Sequence, residues 1–145
     1  IKCNLTLKNE SPLKAFINED KFKLYLSDCG LLRALSNIDY REILLDKNIM
    51  YKGVLTENCV ACEFFSKSKE LYYYTFEKYE IDFLVKINGN LIPIEVKSGR
   101  RTNSKSLNAY INKYNPEYSI RLSMKNFGFE NNIKSIPLYA TFCIN

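Results

Sequence analysis

Histidine is absent from the 145 residues, which removes the commonest zinc ligand from the neighbourhood of Cys59 and Cys62. No apolar run approaches the roughly 18 to 20 residues that a bilayer span needs. The first residues, Ile1-Lys2-Cys3-Asn4, lack the basic-then-apolar pattern of a secretory leader. These absences predict a soluble, cytoplasmic protein with no membrane partner. A Gly-rich phosphate loop ending in Gly-Lys-Ser/Thr is also missing, so this stretch of chain is expected to bind no ATP and to have no ATPase activity. Repeats and low-complexity segments are not visible. The chain begins without Met, and the expectation is a piece of a longer protein whose N-terminal neighbour is missing.

What is present suits one globular domain. Hydrophobic residues make up 46%, with 9 Phe and 11 Tyr, enough to build a core and too many for a disordered tail. The five cysteines, Cys3, Cys29, Cys59, Cys62 and Cys143, are odd in number and set among apolar neighbours. They are expected to be reduced and mostly buried. Cys59-X-X-Cys62 suggests a redox or zinc pair in isolation, but within a helical pattern core packing is the expected role. The net charge of +5 is uneven. Residues 97–145 hold Lys97, Arg100, Arg101, Lys105, Lys113, Arg121, Lys125 and Lys134 against only Glu117 and Glu130. That surplus is either a footprint for phosphate backbones or a solvated face of a Lys-rich protein.

Alternation predicts short strands over residues 1–6 and 21–27, the latter with Phe22, Leu24 and Leu26 on its apolar side. Ser27 or Asp28 can cap a short helix through Leu31, Leu32 and Leu35. A longer helix is predicted over residues 53–66, with a start as early as Ile49. Residues 71–75 and 80–87 read as strands. Asn88-Gly89 is a strong hairpin signal that makes residues 91–97 the antiparallel partner of 80–87. Ser104 can cap a helix through Leu107, Tyr110, Ile111 and Tyr114, which Asn115-Pro116 ends. A strand over 118–123 and an apolar terminal strand over 136–144 complete the reading. Tyr72, Tyr73, Tyr74 and Tyr79 are either half-buried strand residues or aromatics available for stacking on bases or protein.

The hairpin carries the chemistry. A two-residue turn pairs Ile87 with Asn90, which places Asp82 opposite Glu95 and Glu80 opposite Lys97. Two opposed carboxylates repel, and a divalent cation would relieve them. Mg²⁺ suits Asp82, Glu95 and the Val96 carbonyl, with water completing its shell. Lys97 would stand beside such a site, the grouping that phosphodiester hydrolysis uses. Glu57 lies on a helical stripe with Val60 and Phe64, a half-apolar position that calls for a partner. The plainer reading of Glu95-Val96-Lys97 is an exposed ion pair worth under ~1 kcal/mol.

The order of a helix with Glu57, a hairpin with Asp82 and Glu95-X-Lys97, then a helix and a strand resembles the PD-(D/E)XK nuclease superfamily. More narrowly, the blocks at residues 23–32, 53–58, 80–84 and 94–99 resemble the C-terminal domain of unknown function of prokaryotic AAA-type ATPases. The resemblance implies an α/β (α+β) fold with a restriction-endonuclease-like αβββαβ core around a central mixed sheet. It implies a winged-helix-like tail over residues 1–27, a nuclease-like domain over 28–145, and an upstream ATPase module as partner. Carried onto this chain, Glu57 becomes the helix acid, Asp82 and Glu95 the Mg²⁺ or Mn²⁺ ligands with the Val96 carbonyl, and Lys97 the catalytic lysine. Arg100, Arg101 and Lys105 would then position DNA. The alternative expectation is a catalytically silent module for protein interaction or regulation of the attached ATPase.

Overall fold

The computed structural model describes residues 1–45, 49–99 and 103–144. The chain opens with strands β1 (Lys2–Thr6) and β2 (Ile17–Leu24), then helices α1 (Cys29–Leu35), α2 (Tyr40–Leu44) and α3 (Ile49–Ser66). Strands β3 (Leu71–Phe76), β4 (Tyr79–Ile81), β5 (Phe83–Ile87) and β6 (Asn90–Val96) follow. Helix α4 (Lys105–Tyr114) precedes β7 (Ser119–Ser123), β8 (Gly128–Glu130) and β9 (Ile133–Pro137). The fold is mixed α+β. The strands form two mixed sheets, ordered β2-β1-β3-β4 and β5-β6-β7-β9-β8, where one central sheet was expected.

Local chemistry accounts for most of the boundaries. The Asp28 carboxylate accepts a hydrogen bond from Leu31 N at 2.7 Å and caps α1. Asn115 closes α4 in the left-handed conformation, with φ 44°, ahead of Pro116. Asn88 and Gly89 have φ of 50° and 88°, the backbone a type I′ turn demands. That turn sets the expected register, from Ile87 opposite Asn90 to Phe83 opposite Ile94. Asn131 and Asn132, with φ of 49° and 61°, make the same kind of turn between β8 and β9.

Past Phe83 the predicted hairpin fails. The segment expected as one strand over 80–87 breaks at Asp82, and its first part, β4, pairs with β3. Glu80 therefore lies opposite Thr75 and not opposite Lys97. The break also sends neighbouring apolar residues to different layers. Ile81 joins Leu84, Leu107 and Tyr110 in the cluster under α4, while Phe83 joins Val60, Phe64 and Ile94 in the cluster under α3. Both faces of the β5–β6 hairpin are thus covered, so Leu84 and Pro93 are buried as fully as Phe83 and Ile94.

Three other expectations are corrected. The tail beyond Pro137 is a 3₁₀ segment, Leu138–Cys143, and the terminal strands are β8 and β9, earlier in the chain. Of the two readings of the tyrosines, the strand one holds: Tyr72, Tyr73 and Tyr74 lie in β3, buried and alternating between the two core clusters. The cysteines are not mostly buried. Cys3 is enclosed, but Cys29 and Cys62 are partly accessible and Cys59 and Cys143 are exposed, so Cys59 is not a core residue. The orientation of β2 is the reverse of its hydropathy: Phe22 and Leu24 are 45% and 72% exposed, whereas Lys23 and Tyr25 turn inward.

Candidate functional site

Glu57 stands on the half-buried flank of α3, one turn before Val60 and two before Phe64, both buried. Its partners come from the inward side of β2 and the residue after it. The Lys23 ammonium lies 3.0 Å from Glu57 Oε1 and 2.6 Å from Glu80 Oε1. The Tyr25 hydroxyl donates to the same Glu57 oxygen at 2.5 Å. Burial acts to lower the Lys23 pKa, but the Glu57 and Glu80 carboxylates outweigh it and hold the ammonium above the ordinary lysine range. Burial, reinforced by the Glu57 carboxylate, drives the Tyr25 hydroxyl upward and keeps it a donor. Asn58 fastens the next residue: its side chain accepts from Leu26 N and donates to Leu26 O, each at 2.9 Å.

Asp82 occupies the break between β4 and β5, where its carboxylate is free of the strand ladder. Its Oδ2 accepts the Val96 backbone N–H at 2.7 Å. The protein packed around the carboxyl pushes its pKa up to about 7, against the lowering effect of the Val96 N–H. The Glu57 and Glu95 carboxylates add to the rise and Lys23 opposes it, so these four groups share one electrostatic neighbourhood. Glu95 projects from the last turn of the pleat in β6 and its side chain is only 4% exposed. One oxygen, Oε1, meets the Lys97 ammonium at 2.7 Å, while Oε2 is buried without a hydrogen-bond partner. Lys97, one third exposed, reaches solvent from beside this pair and anchors its own backbone N–H on Leu122 O.

The structure thus brings Asp82, Glu95, Val96 and Lys97 together, with Glu57 electrostatically coupled to Asp82. The donor set is two carboxylates, hard oxygen ligands of the type Mg²⁺ and Mn²⁺ take with several waters. Among the described residues no group of three or more His, Cys, Asp or Glu is placed to hold a metal ion. Protein ligation of such an ion would therefore be partial. A surface groove of about 860 Å³, lined in part by Lys2, Lys14, Glu70 and Tyr72, includes none of these acids.

The basic C-terminal third is less free than its charge count suggests. Lys97 is held by Glu95, Lys113 by Glu77 at 2.9 Å, and Arg121 donates to Ser135. The Lys134 ammonium sits 3.3 Å over the Tyr118 ring. Lys105, in the first turn of α4, is exposed, and so is Lys125. Arg100 and Arg101 lie outside the described residues. Lys23 and Tyr25 were not foreseen as members of the polar cluster. Their signal was the partner that a half-apolar Glu57 required, and β2 is the strand that supplies it.

A sequence-family profile described as a domain of unknown function, DUF4143, matches residues 52–141. Neither a curated protein nor a solved structure matches the chain. The matched stretch contains Glu57, Asp82, Glu95 and Lys97, and excludes Lys23 and Tyr25.

Proposed function

The chain belongs to the DUF4143 family, and from that premise and the geometry around Asp82 we propose a nuclease-like module that holds a divalent cation and acts on the phosphodiester backbone of DNA. The carrying observation is the buried, unpartnered Glu95 Oε2 beside an aspartate whose pKa is raised to about 7. A buried carboxylate oxygen without a donor is costly, and a divalent cation would supply the partner that Glu95 Oε2 lacks while also neutralising Asp82. Asp82 and Glu95 would hold Mg²⁺ or Mn²⁺, with the Val96 carbonyl as a third oxygen. When bound, such an ion neutralises charge at the phosphorus and lowers the pKa of the attacking water.

The chain's own residues do the rest. The Val96 N–H fixes Asp82 Oδ2, and the buried Glu95 orients the Lys97 ammonium toward solvent. From there Lys97 donates to the phosphate oxygen that gains charge in the transition state. Lys105, with Arg100 and Arg101 in the adjoining segment, contributes sequence-independent backbone attraction. The second partner in this reading is an ATPase module of the same polypeptide, which the block resemblance implies. A restriction-endonuclease-like core is the finer fold assignment, supported by the chain order α3, β3, β5, β6, α4, β7 with the acids at the ends of β5 and β6.

One observation favours a second reading. Lys23 neutralises Glu57, Lys97 neutralises Glu95, and no third acid joins Asp82 and Glu95 among the described residues. A catalytically silent module that regulates its ATPase would be built this way.

Thermal unfolding with and without Mn²⁺ separates the two, comparing wild type with the Asp82→Asn/Glu95→Gln double variant. Ion at one hundred times its dissociation constant adds about 2.7 kcal/mol, or several degrees for a domain of this size. A shift present in wild type and lost in the double variant supports the nuclease-like reading. No shift in wild type leaves the silent module.

A further inference from the structure

Away from the acids, three cysteines from two helices meet where α1 docks on α3. Cys29 is the first residue of α1, and Cys59 and Cys62 stand about one turn apart on α3. The Cys29 and Cys59 sulfurs are 2.6 Å apart, and those of Cys29 and Cys62 are 4.0 Å apart. All three are thiols. The trio is not among groups able to hold a metal ion, since no such group occurs in the described residues. Packing does not explain it either, because Cys59 is exposed.

The meeting is built into the local structure. Asn58 binds both backbone polar groups of Leu26, and its Nδ2 also lies 3.5 Å from the Cys29 sulfur and 3.6 Å from that of Cys62. The Cys62 thiol donates to Leu26 O at 3.1 Å. The segment entering α1 is therefore held in fixed register against α3, with Cys29 delivered onto Cys59. A disulfide places its sulfurs at about 2.05 Å, so closing the bond needs a sulfur movement of about half an ångström.

We propose that Cys29 and Cys59 form a thiol–disulfide exchange site whose oxidant is a low-molecular-weight disulfide. The accessible Cys59 thiolate attacks one sulfur of the oxidant RSSR. A mixed disulfide forms, the RS–SR bond breaks and the first RS⁻ departs. The Cys29 thiolate then attacks the Cys59 sulfur, forming the intrachain bond and expelling the second RS⁻. Two electrons pass to the oxidant, and the two protein thiol protons go to the departing thiolates. Desolvation, with Cys29 alongside, holds the Cys59 thiol up to about 12, and similar causes hold Cys62 up to about 11. The Cys59 thiol is therefore not activated at rest: its small thiolate fraction limits the rate of the first attack, and proximity selects the product.

The experiment uses the whole chain, reduced and then exposed to glutathione disulfide, quenched by alkylation and mapped as unreduced peptides by mass spectrometry. The expected product has lost two hydrogens, joins the peptides bearing Cys29 and Cys59, and melts several degrees higher than the thiol form because a cross-link restricts the unfolded chain. Cys59→Ser should abolish that peptide pair, and Cys62→Ser and Cys143→Ser should leave it. Two results would overturn the assignment. One is a wild-type chain that stops at the glutathione adduct with Cys29 still open to alkylation. The other is a chain in which Cys143 is linked as readily as Cys59. The wild-type map decides between these outcomes even if a variant fails to fold.

Discussion

Two acidic groups among the described residues, one on α3 and one at the ends of β5 and β6, are neutralised to different degrees. Glu57 is satisfied from outside its own neighbourhood: Lys23 and Tyr25, more than thirty residues earlier, both reach the same carboxylate. Glu95 has one cation for two oxygens, and Asp82 has one backbone donor. Closure of the first group uses residues before the family match, whereas the open group lies wholly within it. An acid whose partners are complete serves stability, and an acid left short of a donor in a buried place is where a ligand can be accommodated.

Breaking each group separately should give different kinds of loss. Lys97→Ala touches the open group at its solvent side, so cleavage of DNA in Mg²⁺ or Mn²⁺ should fall by at least ~100-fold while DNA binding changes little. Gel-based cleavage and fluorescence anisotropy measure the two, and a variant as active as wild type would remove Lys97 from the mechanism. Glu57→Ala attacks the closed group and strands Lys23 beside Glu80 alone. It should cost about 2 kcal/mol in urea unfolding, because a partly buried ion pair and a hydroxyl hydrogen bond are lost together. A cost near zero would make the closed group a surface pair.

The smallest expected effect is a pH dependence. Folded Asp82 keeps its proton up to about 7, and the unfolded side chain releases it near 3.8. Between those values the native state binds more protons, so its stabilising contribution is complete below 3.8 and fades as the pH climbs through 7. Without divalent cations, stability should therefore decline by an amount of the order of 1 to 2 kcal/mol over that window, after allowance for screening. Asp82→Asn should flatten the profile in unfolding titrations, and Mn²⁺ should flatten it in wild type if the open group holds the ion.

What could be read from the chain beforehand followed the range of the forces. Asn88-Gly89, Asp28 and Asn115-Pro116 act within a few residues, and the turn, the cap and the helix end stand where those residues place them. Asn131-Asn132 has the same local turn chemistry as Asn88-Gly89, with two asparagines in place of Asn-Gly. The break at Asp82 is different. Whether residues 79–81 pair with β6 or with β3 depends on which sheet covers their apolar side chains, a tertiary choice that alternation does not encode. In β2 the period of two was evident but its sense was not, because Lys23 is compensated by carboxylates that only the folded chain brings near. Residues 82, 95 and 97 remained neighbours despite the broken strand, since the turn at 88–89 governs the pairing as far as Phe83.

The position of β1 bears on how the chain is made. This first strand is an interior one: it pairs antiparallel with β2 and parallel with β3, where Cys3 lies opposite Leu71. On the ribosome β2 follows almost at once, but β3 is delivered only after three helices have been synthesised. Until then one side of β1 is an open template of backbone donors and acceptors, available to a neighbouring nascent chain. Completing this sheet is a late, long-range event, and anything that occupies the free side of β1 in the interval competes with the molecule's own third strand.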